Sequence, residues 1–116
     1  KDHVTVRIEN QRNMQNHIKG VHAAAMALLA ETATGFLTGL HVPDNRILLI
    51  KSLHVDYLKV AQGGLTATAT LSADQQKLIA DNEKGELFIP VTVIDDSGNQ
   101  PIHCEMLWAW LPKRKK

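Results

Sequence analysis

Glu31 is the only acid between Val21 and Leu37, a stretch otherwise made of Ala, Met, Leu, Phe, Thr and Gly with a single His22. Burying an unpartnered carboxylate costs several kcal/mol, so a carboxylate in such a place calls for a use. One use is catalytic, as a base or a nucleophile. The other is structural: the carboxylate caps a neighbouring strand or pairs with a buried cation. His22 stands at the head of the same stretch, six residues after Asn16. The positive end of a helix disfavours a cationic imidazole, so His22 is read as a cap or packing group that fixes the preceding loop rather than as a proton carrier. His17 and His22 are five apart and have no third ligand nearby, a poor fit to metal binding from one face. Cys104 is the sole cysteine, which excludes both an intrachain disulfide and a Cys-rich zinc site. No metal and no cofactor is expected. Gly63-Gly64 is not followed by Lys-Ser or Lys-Thr and is a turn rather than a phosphate loop. His3, His41, His54 and His103 are scattered and read as ordinary strand or loop residues.

The elements that must carry these residues are legible from periodicity. Val4, Val6 and Ile8 alternate with Thr5, Arg7 and Glu9, the signature of a half-buried strand. A polar loop, Asn10 to Gly20, leads into a helix from Val21 to Leu37. That helix is apolar on nearly every side and is expected to be surrounded by protein, with any uncovered side needing a partner. After a loop at His41–Asn45, Ile47 to Val60 reads as a long, bent strand. Leu65, Ala67, Ala69 and Leu71 alternate with Thr66, Thr68 and Thr70, and these two segments are expected to pair as a hairpin across Gly63-Gly64. Ser72 to Gln75 matches a capping box opening a short helix to about Asp81. Leu87–Ile94 and Ile102–Leu111 are strands around the turn cluster Asp95–Asn99, with Pro90 marking an edge or a bulge. One helix enclosed by five antiparallel strands predicts a single α+β domain over residues 1–116.

Composition narrows the partners. With 116 residues and 44% apolar content the chain can build one core without staples. Thirteen Lys and Arg against twelve Asp and Glu leave +1, too little for a nucleic-acid field. The basic Lys113–Lys116 run reads as a solvated terminus. The longest apolar stretch, Val21–Ala30, falls short of the ~20 residues of a membrane span, and Lys1–Asn10 lacks the apolar core of a secretory signal. A cytoplasmic protein with no membrane partner is expected.

The block Asn16-His17-Ile18-Lys19-Gly20-Val21-His22-Ala23-Ala24, followed by Leu29-Ala30-Glu31-Thr32, resembles the signature of PaaI-type hotdog thioesterases, and Asp56–Val60 with Gly64–Ala67 looks like the strand and turn that follow. The resemblance implies the hotdog fold, an antiparallel sheet wrapped around one long helix, and hydrolysis of an acyl-CoA thioester. It implies catalytic roles for Glu31, Asn16, His22 and the backbone N–H of Ala23, and substrate contacts at Ala24, Thr32 and Gly35. Two departures stand out: Ala23-Ala24 replaces a Gly-Gly pair, and Gly35 stands where relatives often carry Thr or Ser. Alanine keeps the N–H donor but narrows the approach. Ala23 and Glu31 are eight residues apart, ~12 Å along a helix, too far to meet one carbonyl. The site is therefore expected to be shared between two subunits with antiparallel helices, in a homodimer or homotetramer. The alternatives are a hotdog dimer that binds acyl-CoA without turnover and an enoyl-CoA hydratase, whose Asp and His pair is not found. Trp108 and Trp110 share a face with Met106 and Cys104; core or dimer surface is the preferred reading, an acyl-binding wall the other.

Overall fold

The computed structural model describes residues 2–9, 19–59 and 63–113. In chain order the elements are β1 (His3–Ile8), α1 (Lys19–His41), β2 (Arg46–Tyr57), β3 (Leu65–Thr70), α2 (Ala73–Asp81), β4 (Gly85–Phe88), β5 (Val91–Asp95) and β6 (Ile102–Pro112). Two antiparallel three-stranded sheets form, in the orders β1-β3-β5 and β2-β6-β4. They are joined through the chain itself. Ile89 donates its N–H to the Met106 carbonyl on β6, and the next residue, Pro90, accepts from the Thr70 N–H on β3. The run Gly85–Asp95 thus passes from one sheet to the other, giving a curved surface ordered β1, β3, β5 with β4, β6, β2.

The expected strand Leu87–Ile94 is accordingly two short strands. Pro90 has no N–H for a ladder, and the pairing partner changes at that residue. The expected hairpin of the second and third strands is absent: β2 pairs with β6, and β3 lies between β1 and β5. Gly63 does turn the chain, with φ +79°. The Gly64 N–H, however, goes to the Asp96 carboxylate at 2.7 Å, which Arg7 of β1 reaches at 3.1 Å. These contacts tie the turn to the end of β5. The Gly64 N–H first, and then the Arg7 guanidinium, hold the Asp96 carboxyl below the usual carboxylate range.

β2 is bent, as its length suggested, by a register shift between Ile50 and Ser52. The capping box is present in full: Ser72 Oγ accepts from the Gln75 N–H at 3.2 Å and Gln75 Oε1 accepts from the Ser72 N–H at 2.8 Å. Asp95 Oδ1 gathers the N–H groups of Ser97 and Asn99 and the Ser97 hydroxyl, closing the turn into β6.

α1 runs two residues earlier and four later than the apolar run alone indicates; it ends where Pro43 forbids continuation. Its Ala30 and Ala33 and the Ala67 and Ala69 of β3 are all fully buried. Small residues on both surfaces let the helix seat close to the sheet, beneath Leu37, Leu65, Val93, Met106 and Trp110 of the same core. The sheet covers one face of the helix and leaves the other open within the chain: Leu28, Phe36 and Leu40 are exposed, as is Thr32 between them, and this is the uncovered side for which the sequence called for a partner. At the described residues no helix is long and apolar enough to cross a membrane.

Candidate active site

Glu31 sits midway along α1 and is half-buried rather than buried. The sequence placed it inside a closed core; the i, i+4, i+8 row Glu31–Gly35–Gly39 instead lies along the flank of the helix that faces β6 and β2. A Cβ on Gly39 would meet Leu48 of β2 at 3.8 Å, and one on Gly35 would stand 2.7 Å from Trp108 Cζ2 and 2.8 Å from Cη2 on β6. Each glycine inside a helix costs about 1 kcal/mol relative to alanine, so Gly35 answers a packing demand: the indole occupies the space of a side chain there. Glu31 makes no ion pair among the described residues, which removes the buried-cation reading from that set.

The turn that carries Glu31 is pinned from behind. Trp108 Nε1 donates to Thr34 Oγ1 at 2.8 Å, and that hydroxyl donates to the carbonyls of Ala30 at 2.9 Å and Glu31 at 3.1 Å. Thr34 is fully buried, and its single proton and its acceptor capacity are both used. The sequence singled out neither Thr34 nor its tie to Trp108. A threonine in an apolar run gives no local sign of what reaches it from a strand 74 residues away.

The remaining expected residues fall as follows. Thr32 is adjacent to Glu31 but faces the other way, lining an open groove of about 210 Å³ with Ala25, Leu28, Leu29 and the Val6, Arg7 and Ile8 of β1. His22, Ala23 and Ala24 lie in the first turns of α1; Asn16 lies outside the described residues. With α1 starting at Lys19, ladder geometry directs the Ala23 N–H to the Lys19 carbonyl and leaves the free amides to the turn before it. Both tryptophans pack into the core cluster; Trp110 is fully buried, with Nε1 donating to the Asn82 carbonyl at 2.9 Å. Burial pushes the Cys104 thiol up to about 11, so it offers no nucleophile at neutral pH. Among the described residues no three His, Cys, Asp or Glu converge on a metal position.

This architecture, a long helix held in the curve of an antiparallel sheet, is the hotdog fold, and solved structures share it. A protein of unknown function from Pseudomonas aeruginosa, described as a probable thioesterase, superposes with a TM-score of 0.74 at 18% identity, over 96% of this chain and 77% of that one. A Bacillus halodurans protein solved with CoA gives 0.70 at 19% identity, over 92% and 66%. A Haemophilus influenzae thioesterase gives 0.68 at 15% identity, over 99% and 76%. No curated protein matches the sequence. The family model for the domain of unknown function DUF4442 matches residues 1–111, and the chain belongs to that family.

Proposed function

We propose that this domain is a thioester hydrolase acting on acyl-CoA, with Glu31 as base or nucleophile and each site assembled from two copies of the chain. The observation that carries the reading is Glu31 itself: a half-buried carboxylate at the middle of the central helix, with no ion pair among the described residues, on a turn held rigid by Thr34 and Trp108. A group held in this way is oriented for chemistry at small cost in reorganisation. The thioesterases among the structural neighbours and the CoA bound by one of them agree with a thioester substrate and a CoA thiol. They share the fold at low identity, so the residues of this chain must carry the rest of the argument.

Two copies follow from what the sheet leaves open. Leu53 and Tyr57 of β2 stand opposite Met106 and Ile102, hence on the inner face, yet are 47% and 51% exposed while those partners are buried. Inner-face side chains beyond the cover of one helix, like the exposed Phe36 and Leu40 of the helix itself, are suited to cover by a second copy. Antiparallel helices bring the N-terminal end of one α1 to the middle of the other. There the free amides of the first turn and Asn16 polarise the thioester carbonyl, with His22 positioning that loop and Ala23-Ala24 setting the approach, and the partner's Glu31 attacks it or activates water. The lone thiol fits a reducing compartment, and the cytoplasm is the location that goes with this reading.

Gly35 favours a second reading, a dimer that binds acyl-CoA without turning it over, because position 35, on the flank of the carboxylate, offers no hydroxyl to orient water. An assay of thiol release across acyl-CoA chain lengths separates the two. The wild type is expected to release CoA. Glu31→Gln keeps the volume and one acceptor but cannot attack or take a proton, so it should lose at least about a hundredfold in rate with its melting temperature unchanged. Wild-type rates in Glu31→Gln would sink the catalytic reading, and binding without release in the wild type would establish the second.

A further inference from the structure

We propose that Trp108, seated in the notch at Gly35, is the wall that limits the acyl group at this site, and so sets the chain length the protein accepts; this rests on the acyl-CoA reading. Side chains on a helix lean toward its N-terminus, so whatever fills the place of a side chain at position 35 covers the surface over the preceding turn, the turn of Glu31. In this chain the filler comes from β6. The benzo edge of the indole, Cζ2 and Cη2, occupies the space where a Gly35 Cβ would stand.

The chemistry of that edge decides what it faces. The one polar atom of the indole, Nε1, is spent on Thr34, so the ring offers only carbon toward Gly35. A carbon wall suits the alkyl part of an acyl group and leaves the amides of a CoA arm unpaired. The wall is also firm. Trp108 is 8% exposed and tied to Thr34 through Nε1, so it cannot swing aside for a longer chain without losing a buried hydrogen bond. A Thr or Ser at position 35 would have placed a small polar group here; Gly35 with Trp108 places a large apolar one, anchored in the sheet.

The test uses the intact protein and two readouts. Replacing Trp108→Phe removes part of the ring while keeping an aromatic anchor. It should move the optimum for hydrolysis, or for binding where turnover is slow, to acyl chains longer by about two carbons, changing the long-to-short preference at least about tenfold. The second readout needs no substitution in the core. With 5-fluorotryptophan in both positions, acyl-CoA should shift the fluorine signal of Trp108 and leave that of Trp110, which packs at Gly85 and Asn82. A chain-length profile of unchanged shape in Trp108→Phe, or a Trp108 signal that ignores acyl-CoA, overturns the wall. That result is distinct from failure of the hydrolase reading, which shows as wild-type activity in Glu31→Gln whatever Trp108 does.

Discussion

Trp108 and Thr34 form a buried hydrogen bond of 2.8 Å between β6 and the central helix, and the threonine hydroxyl in turn donates to the carbonyls of Ala30 and Glu31. Thr34→Val keeps the shape but removes the acceptor, leaving the indole N–H buried and unpaired at a cost of about 1–3 kcal/mol. Urea unfolding should show a lower midpoint with an unchanged slope. Thr34→Ser restores the oxygen and should recover most of the loss; equal midpoints in all three proteins would show that the bond contributes nothing.

Gly35 and Gly39 lie one turn apart and should respond to alanine with opposite signs. At Gly35 the new Cβ would meet the indole at 2.7 Å, in a ring that is pinned on its far side. Overpacking of this kind costs about 1–3 kcal/mol and outweighs the helix-propensity gain of about 1 kcal/mol. At Gly39 the nearest atom is 3.8 Å away, an ordinary contact, so the propensity gain stands alone. Melting temperatures of the two single variants check this directly: Gly35→Ala below the wild type, Gly39→Ala above it.

The contrast between those glycines also shows what could be read in the sequence. Local signals were enough wherever the cause is local: the alternation of Leu65–Leu71, the capping box at Ser72 and the turn at Asp95–Asn99 depend on neighbours a few residues away. Pairing was read less well. Gly63-Gly64 carries hairpin chemistry, but its N–H is claimed by Asp96, 32 residues on, and β2 pairs with β6 instead. The single α+β sheet-and-helix architecture survived that error because it depends on how much apolar surface the helix must cover, not on which strands are adjacent. Glu31 was singled out because an acid in an apolar run is visible as such. Thr34 and the role of Gly35 were not, since both depend on a tryptophan that the chain brings back from its far end.

Burial raises the Cys104 thiol from the ordinary value near 9.0 to about 11. A group held protonated in the fold but free to ionise in the unfolded chain contributes stability that is complete below the unfolded value and is lost as pH rises through the folded one. Stability should therefore decline between about pH 9 and pH 11, with a smaller decline in Cys104→Ser, which has no proton to lose in that window. Denaturant midpoints across the interval measure it, and identical pH profiles for the two proteins would show that the thiol is not the cause.

A shared site makes a quantitative claim that a site within one subunit does not. Glu31→Gln removes the carboxylate, and Asn16→Ala removes the amide proposed to hold the carbonyl; each homodimer should be inactive, since both of its sites lack one group. In a mixed dimer one site combines the intact Asn16 of the first chain with the intact Glu31 of the second, while the other site carries both lesions. Random pairing of equal amounts makes about half of the dimers mixed, each with one working site of two, so about a quarter of wild-type activity should return. Co-expression with two different tags and purification through both gives the mixed dimer alone, which should reach about half. If Asn16 and Glu31 of the same chain served one site, every site in the mixture would carry a lesion and no activity would return. The activity of the doubly tagged dimer therefore decides between the two arrangements, and a chain that is active and sediments as a monomer would exclude the shared one.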